Sequence, residues 1–174
     1  MDIDLSGSHS DLIEKVLPDA NIIADRFHVV KLIGDEFNSA IIKAKKTTEV
    51  LLDSEEKEAI KAALKSSKYP LLKPECNLTE NQRIKLADVL RVCPILAKMH
   101  QQKESFRNIF EVVNDWETGL EKIAKWLIVA KASFKESVGT IRRWLVEITG
   151  YFDNRTTSGG VEGINNRVVS LCKG

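Results

Sequence analysis

Three carboxylates and one imidazole carry the residue types and spacing that could do chemistry. Glu162 lies within Ser158-Gly159-Gly160-Val161-Glu162-Gly163-Ile164-Asn165-Asn166, between small residues and a pair of amides. Asp25-Arg26-Phe27-His28 closes an apolar, strand-like run, and Asp4 stands just before the turn Ser6-Gly7-Ser8. Gly163, Asn165 and Asn166 are poor helix formers, so local helix stability did not select them. The glycines before Glu162 allow a backbone or ligand to approach closely. Asp4 and Glu162 together offer the hard carboxylate oxygens that Mg²⁺ takes while it keeps several waters. Such a site, with two metal ions, activates water or a 3′-hydroxyl and stabilises the leaving oxygen at phosphorus. Each residue also has a plainer reading. Asp4 fits a solvent-facing strand position, Asp25 a helix cap and His28 a structural imidazole. Glu162 fits a first-turn acid favoured by the helix macrodipole.

Positioning these groups requires a small α/β element. Met1–Leu5 alternates apolar and acidic residues as a strand does, and Asn21-Ile22-Ile23-Ala24 reads as a second, buried strand. Ser10 can cap a short helix through Val16. The intervening length suits a helical crossover, hence a parallel pair with Asp4 and Asp25 at the strand ends, where open α/β sheets place their sites. Parallel sheets need more than two strands, and nothing else in the chain reads as strand. From Phe27 onward the pattern is helical. Val29, Ile33, Phe37 and Ile41 form a ridge, Ser54 opens a second helix to about Ser66, and a turn-rich segment surrounds Pro70 and Pro74. Thr79 and Gln82 fit a capping box, with a helix to about Val92 and Pro94 at the start of the next. Phe106, Ile109, Phe110 and Val113 form another stripe. Asp115 is the expected cap of a helix carrying Leu120, Ile123, Ala124 and Leu127. Ile141, Trp144, Leu145 and Ile148 continue the helical pattern to Gly150. The fold class is therefore mainly α with a small α/β part.

Composition excludes several classes. The chain has 26 Lys+Arg against 25 Asp+Glu, a net charge of +1, which lacks the basic excess usual in an autonomous nucleic-acid-binding domain. Cys76, Cys93 and Cys172 are odd in number and without C-x-x-C spacing, so neither a disulfide framework nor a thiolate zinc site is supported. A reducing cytosol is the simplest setting. No apolar run approaches the ~20 residues that span a bilayer. Trp126 and Trp144 fall in amphipathic patterns and read as core.

Several segments resemble one family. Pro18-Asp19-Ala20-Asn21 through Ala24-Asp25-Arg26-Phe27-His28-Val29-Val30-Lys31 is similar to DDE transposases of bacterial insertion sequences, in the group written "IS-L-three". So are Tyr151–Thr157 and Val161–Asn166, and the segments Ser66–Pro74 and Met99–Arg107, so the resemblance covers nearly the whole chain.

The resemblance implies an RNase H-like catalytic core interrupted by a large helical insertion between its second and third acids. On that reading, residues 1–30 are a partial core (βαβ), 31–150 the helical insertion, and 151–174 the loop and the Glu-bearing helix. Asp4 matches the second catalytic Asp and Glu162 the catalytic Glu, both as ligands of Mg²⁺ or Mn²⁺. Asp25 and His28 match an acid-x-x-His signature and support the site, as do Asn165 and Asn166; Asp25 replaces Asp4 if that match fails. The implied partner is DNA, both transposon ends and target, cleaved and joined at phosphorus by a homo-oligomer in the bacterial cytoplasm, associated with the nucleoid. Candidate phosphate contacts are Lys43, Lys45, Lys46, Arg142, Arg143, Arg155 and Arg167, for which a solvated face is the plainer reading. The family's first Asp and its N-terminal zinc-binding and helix-turn-helix region have no counterpart here, and the basic run usual after Asn166 is replaced by Arg167-Val168-Val169-Ser170. These departures imply a fragment, inactive alone. Two competing readings are a non-enzymatic helical module that binds DNA or regulates transposition, and a decayed remnant whose two-strand sheet leaves an unpaired edge prone to aggregation.

Overall fold

The computed structural model describes residues 2–3, 23–24, 26–50 and 55–152. These are mainly helical. Two short strands, β1 (Asp2–Ile3) and β2 (Ile23–Ala24), pair in parallel with Asp2 opposite Ile23 and Ile3 opposite Ala24. The crossover between them, including the expected helix from Ser10, lies outside the described residues.

The chain forms two compact units. The first contains Met1–Leu32 and Phe106–Gly174, the second Ile33–Ser105. Two helices carry the chain between them, α1 (Arg26–Val50) and α5 (Pro94–Val112).

The second unit is built around Ile33, Phe37 and Ile41 of α1, all buried. Its other elements are α2 (Glu55–Leu64), α3 (Lys68–Leu72), the 3-10 turn η1 (Glu75–Asn77) and α4 (Glu80–Val92). Thr79 and Gln82 make the expected capping box. The Gln82 N–H donates to Thr79 Oγ1 at 3.4 Å, and the Thr79 N–H to Gln82 Oε1 at 3.1 Å. The segment around Pro70, expected as turns, is instead the short helix α3. Pro70 falls in its first turn, where the missing N–H has no helical acceptor to lose.

What holds α3 is a buried cation. The Lys103 side chain is 2% exposed, and its Nζ donates to the carbonyls of Leu71 at 2.8 Å and of Leu72 and Lys73 at 3.3 Å. Glu104 Oε1 pairs with the same ammonium at 2.6 Å. The carbonyls that a helix C-terminus leaves without partners are thus satisfied by a charge-assisted set of bonds.

In the first unit, α6 (Trp116–Ala130), α7 (Lys135–Arg143), α8 (Leu145–Thr149) and the 3-10 turn η2 (Gly150–Phe152) pack with the end of α5. Asp115 caps α6 as expected, its Oδ1 accepting from the Thr118 N–H at 2.8 Å. The Ile141–Ile148 stripe does not run through one helix. Trp144 takes φ −105 and ψ 23, between α7 and α8, and is only half-buried. That bend lets Leu145 and Ile148 turn inward together with Ile141. Trp126 is buried as expected, 4.6 Å from Phe106 between ring centres.

Candidate functional site

The junction of β2 and α1 is the described part of the proposed site. Ala24, the last residue of β2, is buried, and β2 packs against both α8 and η2. Asp4 and Asp25 directly follow Ile3 and Ala24, the last pair of the parallel register. Both carboxylates, and also Arg155, Glu162, Asn165, Asn166 and Arg167, lie outside the described residues.

His28 lies in the first turn of α1 and is half-buried. Its ring meets that of Phe27 edge-on at 6.0 Å, while the Phe27 side chain is largely exposed. Arg26, the cation of the Asp25–His28 segment, pairs with Glu111 of α5 at 3.3 Å. Both side chains are about half exposed, so this pair orients more than it stabilises.

The end of the first unit that leads toward Glu162 is held by aromatic rings. Phe152 stacks on Phe110 at 5.1 Å, and Tyr151 meets the same ring edge-on at 5.5 Å. Gly119 of α6 makes room for Phe152, since a Cβ there would lie 2.7 Å from Phe152 Cε2. η2 is thereby fixed against α6 and β2 at once. Residues remote in sequence, the strand before Asp25 and the turn before the Glu162 segment, are packed together.

The candidate phosphate contacts divide between the two units. Lys43 and Lys46 are exposed and Lys45 half-buried on α1, while Arg142 and Arg143 are exposed in the last turn of α7. There the arginines complement the helix macrodipole, and Arg143 Nη2 donates to Thr140 Oγ1 at 3.3 Å. Sequence reading passed over a further basic group, Lys61, Lys65 and Lys68 beside Tyr69, although residues 59–74 contain no acid. Among the described residues no three His, Cys, Asp or Glu side chains cluster to hold a metal ion. No helix among them is long and apolar enough to cross a membrane.

A family model described as a transposase matches residues 2–173. Two curated relatives, the transposases for insertion sequence element IS1557 from two strains of Mycobacterium tuberculosis, are each 28% identical to the chain. The alignment covers 94% of this chain and 41% of each relative, so the chain spans about two fifths of their length. No solved structure matches.

Proposed function

The chain belongs to the IS-L-three group of DDE transposases, and on that footing we propose that it carries two of the three metal-binding acids of an RNase H-like catalytic core, Asp4 and Glu162. We place the core in residues 1–30 and 151–174 and a helical insertion in 31–150, the division that the resemblance implies. Carboxylate oxygens are the donors Mg²⁺ and Mn²⁺ prefer. When bound, the metal ions would supply activation of the attacking oxygen and charge stabilisation at the leaving one. Asp25 and His28 orient the carboxylates, and Asn165 and Asn166 give amides for hydrogen bonds beside Glu162. The reaction is in-line attack at a DNA phosphorus by water, then by the freed 3′-hydroxyl on target DNA. A new P–O bond forms as the bond to the leaving oxygen breaks.

One observation carries this reading. β2, whose register with β1 ends where Asp4 and Asp25 begin, packs on η2, the turn that leads toward Glu162. The chain supplies a two-acid set, so strand transfer is proposed to need the rest of the protein. Strand transfer by these 174 residues alone, abolished by Glu162→Ala, would overturn that part.

The metal site has a readout that needs no activity. Mn²⁺ should broaden the His28 imidazole resonances in an NMR titration of the chain, with His100, buried in the second unit, as reference. Asp4→Ala and Glu162→Ala should each weaken the broadening while circular dichroism stays unchanged. Equal broadening in both variants would remove Asp4 and Glu162 as ligands.

A further inference from the structure

We infer that the second unit carries its own DNA-binding surface, formed by Lys61, Lys65 and Lys68 around the exposed ring of Tyr69, and that its ligand is a single-stranded or unpaired stretch of DNA. The inference rests on DNA being the partner, as proposed above, but it concerns residues with no place in the catalytic site.

Four observations converge on this surface. The chain as a whole is almost neutral, yet residues 59–74 hold four lysines and no acid. Lys61, Lys65 and Lys68 are exposed, and Tyr69 is 69% exposed, with Lys68 and Lys73 lining the same shallow depression. A groove of about 450 Å³ between the end of α1 and α2 is lined by Lys45, Lys61 and Lys65 against Glu49 and Glu58, and the chain runs from its Lys65 to Lys68 and Tyr69 within four residues. Of these, Lys61 pairs with Glu58 at 3.7 Å, both side chains well exposed, a contact that salt and a phosphate readily displace.

The turn that presents these lysines is preformed. The Lys65 N–H donates to Lys61 O at 3.0 Å, and buried Ser67 donates from Oγ to Leu64 O at 2.8 Å. Between them Ser66 adopts φ 57, a left-handed conformation that costs a side-chain-bearing residue energy and favours glycine. The backbone is thus held in a strained form between Lys65 and Lys68.

Folding explains part of this arrangement. Lys61 lies in the last turn of α2 and Lys65 directly follows it, where cations suit the macrodipole. It does not explain Lys68, which opens α3, where a cation is disfavoured, nor a tyrosine ring left in water. A phosphate backbone explains the lysines, and a base explains the ring. Aromatic side chains bind unpaired bases by stacking, irrespective of sequence, inside basic grooves that follow the backbone.

The test is fluorescence anisotropy of the full 174-residue chain with a labelled 20-nucleotide oligo-dT and a labelled 20-base-pair duplex, over a series of salt concentrations. Tyr69→Ala should weaken oligo-dT binding by about tenfold and leave duplex binding nearly unchanged. The double variant Lys65→Ala/Lys68→Ala should lower the steepness of log K against log salt by between about 1 and 2. Lys122→Ala/Lys131→Ala, at exposed lysines of the first unit, should leave that slope unaltered. Salt-dependent binding that none of the Tyr69, Lys65 or Lys68 changes affects would overturn this inference while leaving DNA as the partner. Absence of binding to either probe at low salt would overturn the inference together with DNA recognition by these residues.

Discussion

At the scale of single residues, the most consequential side chain for stability is Lys103. Its charge is almost wholly removed from water, and that is tolerable only because three carbonyls and Glu104 surround it. Its Nζ also lies 6.0 Å from the centre of the Phe37 ring. Lys103→Met keeps the bulk and deletes the ammonium, so the carbonyls at the end of α3 and the Glu104 carboxylate lose their shared partner. The expected loss is about 3 kcal/mol or more of unfolding free energy, read by urea denaturation. Lys103→Arg should restore little of it, because a planar fork does not reproduce a compact ammonium among converging oxygens. Wild-type stability of Lys103→Met would show that the pair is not what holds α3. In sequence this residue looks like any solvated lysine on a helix. Its acceptors begin 32 positions earlier, beyond the reach of any local pattern.

At the scale of elements, helix starts were legible because caps are local. Thr79 with Gln82 and Asp115 with Thr118 lie within one turn of each other, and both form as read. The Asp115 carboxyl is held below the usual carboxylate range, chiefly by the hydrogen bond from the Thr118 backbone N–H. A folded-state pKa lower than that of the unfolded chain stabilises the fold above about pH 4 and ceases to do so as pH falls through the lowered value. Asp115→Asn retains a good cap but has no charge to titrate. The variant should therefore melt with a shallower dependence on pH between about 5 and 2 than wild type. A parallel pair of melting-temperature curves would exclude Asp115 as a source of acid sensitivity. The bend at Trp144 was not legible, since Ile141, Leu145 and Ile148 keep helical spacing across it. The break is set by what those residues pack against in the first unit.

At the scale of the whole chain, there are two compact units, and the frame that packs β2 against η2 belongs to the first. The frame depends on a position that sequence reading would mark as a weakness. Gly119 interrupts an otherwise strong helix, and only the Phe152 ring lying over it gives the reason. Gly119→Ala forces ring and helix apart and should cost about 1–3 kcal/mol, measured by chemical denaturation. Since Phe152 ends the turn that leads toward Glu162, the same change should also weaken Mn²⁺ broadening at His28. A Gly119→Ala chain with wild-type stability would mean that the contact is slack and that η2 is not fixed by it.

By itself the sequence determined the helical stripes, the caps and the family. Val29, Ile33, Phe37 and Ile41 are all buried, because a period near 3.6 makes a continuous ridge whatever it packs against. The family motifs were equally readable, as they are contiguous runs. Only the tertiary structure decided which distant groups meet: the Lys103 ammonium with the end of α3, the Phe152 ring with Gly119, and β2 with η2. These contacts join positions far apart in sequence, and they depend on shape and on the satisfaction of buried polar groups. A local pattern of residue types encodes neither.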